Sequence, residues 1–401
     1  MVKFLYLGSF IHESIFEDVW NHSKGSLVFS GDKFQHSFLE GILTFPGFID
    51  NIIVAPAIGN YPFRYKKMII KGFNFSYHQR SGYSTGFLNL IFLKRYSIYR
   101  SLKKSVQKWS LDNYENKKVI VVYSLLESYI KTAIEIKRKH ENVIICCIVL
   151  DLPKYFDDSN KGITKYINEK SNERISSLIA EIDSFILLTH AMSEELILDK
   201  KPWLLLEGIY SPIHVSALPK ESKTILYSGK LDLRFGIDYL VSAFSKINDP
   251  DAKLWICGDG SARKYVEDCA RKDHRIIYFG VVKPEKVIEL QHRANLLINP
   301  RKGDEEYTRF SFPSKTMEYL ASGTPTIMYP LPGVPNEYFK YLVLVEDNTI
   351  ETLSSTLEVW LSKSQKELDV FGLTAKEFIL KNKTSSNQAK RVLTFLQSLV
   401  N

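Results

Sequence analysis

Short apolar runs alternate with amphipathic helical patterns twice along this chain of 401 residues. Continuous apolar runs bounded by polar segments are typical of strands that are buried on both faces of a parallel sheet. We therefore predict an α/β protein with two doubly wound sheets, one in each half of the chain. The predicted strands are residues 3–8, 51–55, 118–123, 143–150 and 184–189, and then 224–229, 253–258, 275–280, 294–299, 324–328 and 341–345. The predicted helices include 125–140 and 171–182, and then 237–247, 262–272 and 284–294.

The domain bounds follow from this alternation. We predict an N-terminal domain over 1–206, a linker over 207–222, and a C-terminal domain over 223–384. The final segment, 385–401, is an amphipathic helical pattern. Doubly wound sheets bind ligands at the carboxyl ends of their strands, so the candidate site residues are sought there.

Composition excludes some classes of protein. No uncharged apolar stretch reaches the ~18 residues of a membrane-spanning helix, and the N-terminal apolar run is too short for a signal peptide. The four cysteines lack zinc spacing and are expected to be reduced, as in a cytosolic protein. There is no Asp-x-Asp motif and the nine histidines are scattered, so no metal site is predicted.

The stretch RFSFPSKTMEYLASGTPTI, residues 309–327, has the pattern of a phosphate-binding helix start. Pro313 and a predicted N-cap at Ser314 precede a helix that ends at Gly323. A helix N-terminus attracts anions, and Lys315 adds a full positive charge in the first turn. Glu318 lies one turn later, where a carboxylate can accept hydrogen bonds from paired sugar hydroxyls. A capped surface helix is the alternative interpretation.

This stretch resembles the donor-binding segment of family 4 glycosyltransferases, which have the two-domain GT-B fold. Glu318 and the following residues through Pro325 match the second of that family's two Glu residues and the turn after it. The first Glu falls on Phe310, which is a departure from the pattern, and Glu305 or Glu306 is the candidate replacement. The resemblance implies two Rossmann-like domains that face a central cleft. It also implies that the helix in 385–401 crosses back to the N-terminal domain.

The same resemblance implies further donor-binding residues, each with a structural alternative. Gly229 ends the strand 224–229, and Lys230 follows it at the family's arginine position. Arg234 stands one residue before the family's lysine position, and the two cations would hold a diphosphate and serve catalysis. Gly258 lies in a Gly-x-Gly turn that by itself predicts only a tight turn, and Val282 lies where backbone groups read a nucleobase. Arg301 follows the strand 294–299 and would contact sugar or phosphate, or else form a surface ion pair.

In the N-terminal domain, Asp151 matches the Asp of a His-Asp pair that lies near the transferred sugar in many relatives. It is the third candidate catalytic residue. Leu150 occupies the His position, and His190 is the nearest sequence alternative, or a helix cap. Gly8, Ser9 and Gln35 are predicted to line the acceptor side.

Charge is very unevenly distributed along the chain, whose formal net charge is +8. Eleven cations and no acids lie between Asp50 and Asp112, with aromatic residues interleaved. We expect a functional insertion with helical parts at about 61–110. Its anionic partner is predicted to be a membrane surface or a lipid-linked acceptor. A solvated basic face and a nucleic-acid site are the alternatives.

The resemblance implies a retaining enzyme that moves a hexose from a nucleotide-diphosphate sugar, with UDP favoured over GDP. It implies no cofactor or metal, and an acceptor that is a lipid-linked saccharide of bacterial surface polysaccharide synthesis. The enzyme would be cytoplasmic and peripheral to the inner face of the membrane. A non-catalytic sugar-nucleotide-binding protein and a sugar-nucleotide epimerase remain as alternatives.

Overall fold

The computed structural model describes residues 2–24, 30–46, 48–113, 115–155, 163–198, 200–213, 215 and 218–400. The chain divides into two compact units. Unit 1 comprises Met1–Ile209 together with Ser385–Asn401, and unit 2 comprises Tyr210–Thr384.

Strands and helices alternate through both units. The strands are β1 (Val2–Gly8), β2 (Asn51–Val54), β3 (Ile69–Ile70), β4 (Phe73–Tyr77), β5 (Arg80–Ser84), β6 (Phe87–Leu88), β7 (Lys117–Tyr123), β8 (Val143–Val149), β9 (Ser184–Leu187), β10 (Trp203–Leu205), β11 (Glu221–Ser228), β12 (Lys253–Cys257), β13 (Ile276–Gly280), β14 (Ala294–Asn299), β15 (Thr326–Met328) and β16 (Val343–Leu344). The helices are α1 (Glu13–His22), α2 (Ser30–Leu43), α3 (Lys94–Asp112), α4 (Glu127–Lys137), α5 (Ile163–Ile179), α6 (Ala191–Glu195), α7 (Ile237–Ser245), α8 (Arg263–Lys272), α9 (Pro284–Arg293), α10 (Ser314–Ser322), α11 (Ile350–Leu361), α12 (Gln365–Asn382) and α13 (Ser385–Ser398).

The sheet of unit 1 has the strand order β10-β9-β8-β7-β1-β2-β5-β4 in the described part of the chain. Its strands run parallel except for β4, which is antiparallel to β5. The central strand β1 is buried on both faces, because Leu5 and Leu7 point to one side and Tyr6 to the other, and all three are inaccessible to solvent. The predicted doubly wound parallel sheet is therefore confirmed.

The basic segment, about residues 61–110, contains strands as well as the predicted helical part. α3 supplies the helix, but β4 and β5 extend the main sheet beyond β2. The sequence FNFSY alternates aromatic and polar residues, which is the period of a half-buried strand. The Phe75 ring lies 4.6 Å from the His12 ring. Gly82 is opposite Phe75, where a Cβ atom would lie 2.2 Å from the Phe75 ring.

Unit 2 contains a parallel sheet with the strand order β13-β12-β11-β14-β15-β16 among its described residues. β11 lies at the centre and pairs with both β12 and β14, so that Ile225 is opposite Leu254 on one side and Leu296 on the other. From β11 the chain adds β12 and β13 on one side of the sheet, and it then adds β14, β15 and β16 on the other side. Its topological switch point therefore lies between the carboxyl ends of β11 and β14, where such sheets bind ligands.

The last helix belongs to unit 1, as the predicted GT-B fold requires. α13 packs on α2 and buries Ala389, Val392 and Leu396 in the core of unit 1. The Gln388 side chain donates a hydrogen bond to the Gly208 carbonyl at 2.9 Å.

The boundary of unit 2 differs from the predicted linker over 207–222. The Tyr210 N–H donates to the Lys383 carbonyl at 2.9 Å, so the first and last residues of unit 2 lie side by side. β11 begins at Glu221, inside the predicted linker. His214, Ser216 and Ala217 of that linker lie outside the described residues.

Among the residues that the structure describes, no helix is both long enough and apolar enough to cross a lipid bilayer.

Candidate functional site

Two loops meet at the switch point of unit 2. One follows β11 and contains Gly229 through Gly236, and the other follows β14 and contains Pro300 through Ser311. The Arg301 guanidinium lies 5.5 Å from the centre of the Phe235 ring. The Tyr307 hydroxyl donates to the Arg234 carbonyl at 3.5 Å. The residues predicted around positions 229–234 and at position 301 are therefore brought together.

Gly258 positions the first of these loops through its backbone. The Gly229 N–H donates to the Cys257 carbonyl at 2.9 Å, and the Leu231 N–H donates to the Asp259 carbonyl at 2.9 Å. Gly258 has φ = 137°, and a Cβ atom there would lie 1.7 Å from the Gly229 carbonyl oxygen. Only glycine permits this approach of two backbones. The geometry assigns Gly258 a role in holding the 229–231 loop, whereas the contact with a donor stays a prediction.

The two predicted diphosphate cations differ in what they contact. Lys230 is exposed, and its positive charge helps to lower the pKa of Asp232. Its carbonyl accepts a hydrogen bond from Tyr227 at 2.7 Å. Arg234 donates from Nε and Nη2 to the two carboxylate oxygens of Asp232, each at 3.1 Å. That hydrogen bonding holds the pKa of Asp232 below its usual value. Arg234 would have to leave or share Asp232 to bind a phosphate.

Arg301 is a buried cation with aromatic neighbours. Arg301 is 9% exposed, and its guanidinium lies 4.4 Å from the centre of the Tyr307 ring. Nη2 donates to the Ser311 hydroxyl at 2.8 Å, and Nε is buried without a hydrogen-bond partner in the described part of the chain. Burial lowers the pKa of Arg301. No carboxylate is recorded within ion-pair distance among the described residues, so the predicted alternative of a surface ion pair is wrong.

Helix α10 begins one residue earlier than predicted. Ser314 is its first residue, Pro313 occupies the N-cap position, and no side chain caps the helix start. The prediction of Ser314 as N-cap is therefore wrong, because Pro313 already has the extended conformation that precedes the first turn. Gly323 ends the helix with φ = 77°, as predicted.

Tyr319 fixes α10 to the end of β11. The Ser228 N–H donates to the Tyr319 hydroxyl at 3.0 Å, and this hydroxyl donates to the Ser228 carbonyl at 3.1 Å. Sequence reasoning missed Tyr319, although a tyrosine on the buried face of a helix requires a hydrogen-bond partner for its hydroxyl. Lys315, four residues before Tyr319, is close enough to Cys257 to oppose the burial that raises the pKa of that thiol to about 11. Lys315 therefore lies near the carboxyl end of β12.

Phe310 belongs to the core and not to the ligand surface. It is 4% exposed and closes a 3₁₀ turn, Glu306–Phe310. Glu305 and Glu306 are both exposed at the start of that turn. Whether either carboxylate replaces the one missing at position 310 stays a prediction.

Val282 lies two residues beyond β13 and packs partly buried against the cluster that contains Trp255, Cys257 and Tyr319. This position is on the β12–β13 side of the unit 2 sheet. The backbone contact with a nucleobase stays a prediction.

The predicted acceptor residues form a buried cluster in unit 1. Gln35 is 1% exposed; its Oε1 accepts from the Ser9 N–H at 2.8 Å and from the Tyr6 hydroxyl at 3.2 Å. Its Nε2 donates to the Ser9 hydroxyl at 3.2 Å, and a Cβ atom on Gly8 would lie 2.7 Å from Oε1. Gln35 therefore positions the loop after β1 and offers no free group to a sugar, which corrects the prediction that it contacts the acceptor. Gln35 lies inside α2.

Asp151 is exposed two residues beyond β8, at the carboxyl edge of the unit 1 sheet. His190 occupies the N-cap position of α6 without a side-chain capping bond, and its ring lies 5.4 Å from the Trp203 ring. No group of three or more metal-ligating side chains occurs among the residues that the structure describes.

Comparisons with known proteins find similarity in the C-terminal unit. Residues 213–378 match the family model described as glycosyl transferases group 1. A segment of 118 residues is 30% identical to an uncharacterized glycosyltransferase of Methanocaldococcus jannaschii. That segment covers 28% of this chain and spans 29% of the length of that relative.

Solved structures resemble the whole chain. A sucrose-phosphate synthase from Thermosynechococcus elongatus has a TM-score of 0.64 at 15% identity, with 99% of each chain covered. The Anabaena protein HepE, solved in complex with UDP, has a TM-score of 0.64 at 11% identity, with 99% of this chain and 100% of that chain covered. The lipopolysaccharide outer core galactosyltransferase WaaB has a TM-score of 0.62 at 13% identity, with 99% of each chain covered. The chain therefore has the GT-B fold of two Rossmann-like units, and its residues 213–378 match the glycosyl transferases group 1 model.

Proposed function

We propose that this protein is a glycosyltransferase that uses a nucleotide-diphosphate sugar as donor. The family match of residues 213–378 supports sugar transfer, and the similarity to a protein solved with UDP supports a nucleotide in the site. We propose a hexose as the transferred group, UDP ahead of GDP as the nucleotide, and retention of configuration.

One observation carries the proposal: a buried cation lies at the switch point of unit 2 without a recorded carboxylate partner. Arg301 is buried with no recorded ion pair in the described part of the chain, and the exposed Lys230 follows the neighbouring strand β11. Lys315 stands in the first turn of α10, where the helix dipole already favours an anion. A buried cation without a counter-ion is costly, so an anionic ligand at this edge would offset that cost.

The same cations would stabilise the departing diphosphate during transfer. Negative charge develops on the leaving group as the sugar–phosphate bond breaks, and fixed cations and helix N–H groups stabilise it without reorganisation. Lys230 and Lys315 are assigned this role, with Arg234 joining once it leaves Asp232. Glu318 would hold the ribose hydroxyls, and Asp151 of unit 1 would contact the transferred sugar.

The proposed acceptor is a lipid-linked saccharide of bacterial surface polysaccharide synthesis. The protein would work in the cytoplasm, at the inner face of the membrane, and would bind anionic lipid through the segment 61–109. The support is the run of cations without acids in this segment. A GT-B protein that works on such an acceptor would gain local acceptor concentration by binding the membrane surface.

A non-catalytic sugar-nucleotide-binding protein is the second candidate, because the buried Phe310 removes one carboxylate of the donor-site pattern. A sugar-nucleotide epimerase is the third. Incubation with a panel of UDP- and GDP-sugars separates them by product. A transferase releases nucleoside diphosphate only with an acceptor, an epimerase makes a new nucleotide sugar, and a binding protein does neither.

Calorimetry of UDP and GDP tests the donor site directly. Lys315→Ala should weaken nucleotide-diphosphate binding by about 1.5–3 kcal/mol, the usual value of a hydrogen bond to a charged group. Lys272→Ala, on the exposed end of α8, is the matched control and should leave the affinity unchanged. Equal affinity of wild type and Lys315→Ala would remove Lys315 from the site.

A further inference from the structure

Several cations of the basic segment are used inside unit 1. The Lys94 ammonium donates to the Ile58 carbonyl, and to the Asn60 side chain at 3.1 Å; Lys103 pairs with Glu135 at 2.6 Å. Arg95 donates to the Ile167 carbonyl at 3.3 Å. These three side chains hold the segment in place, so they cannot be the principal contacts of a membrane. Any cation of the basic segment that contacts a membrane must therefore be exposed and not already engaged in an ion pair.

Three cations on α3 meet that condition. Arg100, Lys104 and Lys108 are exposed, are spaced four residues apart, and have no recorded ion pair or hydrogen bond among the described residues. They line a cavity of about 800 Å³ that Gly86 also lines, and Asp112 is the one acidic residue among the described residues that line it. We call this the basic groove. Its chemistry fits a phosphate group.

Large apolar side chains are exposed beside the groove. Ile69 and Leu88 are opposite each other in the β3–β6 pair and are 56% and 40% exposed. Phe92, just before α3, is 63% exposed. Together with exposed residues of the adjoining segments they form what we call the apolar wedge. Its members are Met68, Ile69, Leu88, Phe92, Leu93 and Tyr96.

The wedge and the groove are joined by hydrogen bonds and by one continuous helix. The Leu88 N–H donates to the Ser97 hydroxyl at 2.8 Å, and the Asn89 N–H donates to the Met68 carbonyl at 2.7 Å. The Arg100 guanidinium lies 6.0 Å from the Tyr96 ring. The apolar wedge and the basic groove are therefore neighbours on one surface of unit 1.

We infer that this surface inserts its apolar wedge into an anionic bilayer while the basic groove binds phospholipid headgroups. Contiguous exposed apolar side chains on a folded protein mark an interaction site. Flanking cations select an anionic occupant, and a bilayer offers a phosphate layer directly above hydrocarbon. This goes beyond the proposed membrane association, because it names the inserting residues and adds an apolar component that salt does not screen.

Co-sedimentation with phosphatidylcholine vesicles, with or without phosphatidylglycerol, tests both parts. Arg100→Gln/Lys104→Gln/Lys108→Gln should lower the affinity for anionic vesicles by about a hundredfold, from roughly fivefold per charge. Ile69→Ser/Phe92→Ser should lower it at least about tenfold, because two exposed apolar side chains no longer leave water. The residual binding of this wedge variant should vanish as salt is added, whereas wild type keeps part of its binding.

Matched controls remove the same groups elsewhere. Lys139→Gln/Lys264→Gln/Lys272→Gln removes three exposed charges outside the groove, and Val359→Ser/Val370→Ser removes two exposed apolar side chains from unit 2. Both should bind vesicles as wild type does. If the controls weaken binding as much as the groove and wedge variants do, the surface is not specific and the inference is overturned.

Depth is measured with Phe92→Trp and brominated lipid, against Val359→Trp as control. Insertion predicts quenching of the new tryptophan at position 92 only. Equal quenching at both positions, or none at 92, would overturn insertion. The experiment contains no nucleotide sugar, so the two proposals are tested separately. If the wild-type protein binds UDP but not anionic vesicles, this inference alone is contradicted. If it binds the vesicles but not UDP, only the proposed donor site is contradicted.

Discussion

The Tyr319 hydroxyl accepts a hydrogen bond from the Ser228 N–H and donates one to the Ser228 carbonyl. One side chain thus uses both backbone groups of the last residue of β11. The two residues are 91 positions apart in sequence. This contact ties α10, which carries Lys315 and Glu318, to the end of β11, just before the Gly229–Lys230 loop.

Replacing Tyr319 by Phe should weaken the attachment of α10 to the end of β11. Both Ser228 backbone groups would lose their partner in the core, which costs about 1–3 kcal/mol for a buried unsatisfied group. The free energy of unfolding, measured with urea, should fall by this amount, and UDP affinity should fall as well. Tyr166→Phe, on an exposed tyrosine of α5, is the control and should change neither quantity. Unchanged stability in Tyr319→Phe would show that the contact does not hold α10.

Replacing Arg301 by Met should lower the affinity for the donor while leaving the free energy of unfolding nearly unchanged. The variant loses one hydrogen bond to Ser311 but also removes a buried charge without a counter-ion, so the free energy of unfolding should change by less than about 1 kcal/mol. Donor affinity should fall by about 1.5–3 kcal/mol if the guanidinium binds phosphate. Calorimetry with UDP measures the second quantity, with Arg263→Met on α8 as control. A strongly destabilised Arg301→Met with intact UDP affinity would make Arg301 a purely structural residue.

Gly258→Ala should be severely destabilising. Its Cβ atom would lie 1.7 Å from the Gly229 carbonyl oxygen, so the β11 loop would have to move, at a cost of more than about 3 kcal/mol. Gly280 provides the comparison, because it also has a positive φ of 68° but open space where the Cβ atom would be. Gly280→Ala should cost only the conformational strain of about 1–2 kcal/mol. Thermal and urea unfolding of both variants measure the difference, and equal losses would contradict the backbone-contact argument.

His292 should make stability fall in mild acid. Burial, together with Lys220 and Lys376, lowers the pKa of His292 to about 4. Between the unfolded value of about 6.5 and pH 4, the unfolded chain binds a proton that the folded protein does not. Stability therefore falls as the pH drops through this window, by at most about 3 kcal/mol, and this loss is complete below pH 4.

His292→Gln should reduce that slope. Urea unfolding of wild type and variant at several pH values between 7 and 4 measures the difference in slope. Parallel curves for the two proteins would mean that His292 is not the group responsible.

The sequence alone determined the two alternating α/β units and the segment that forms α10. These are local signals: continuous apolar runs, a proline before the helix and a glycine after it act within a few residues. The same holds for the resemblance of residues 309–327, because its motif is one continuous stretch.

Only the tertiary structure decided which of the candidate residues are available to a ligand. Gln35 hydrogen-bonds to Ser9 and Lys94 hydrogen-bonds to Asn60, whereas Arg301 is buried without a recorded ion pair among the described residues. Each side chain had the right chemistry in the sequence. Its partner was set by packing between elements, and in most of these cases that partner lies far away along the chain. Hydrogen bonds and burial depend on those distant partners, so a side chain's own sequence neighbourhood carries no signal of them.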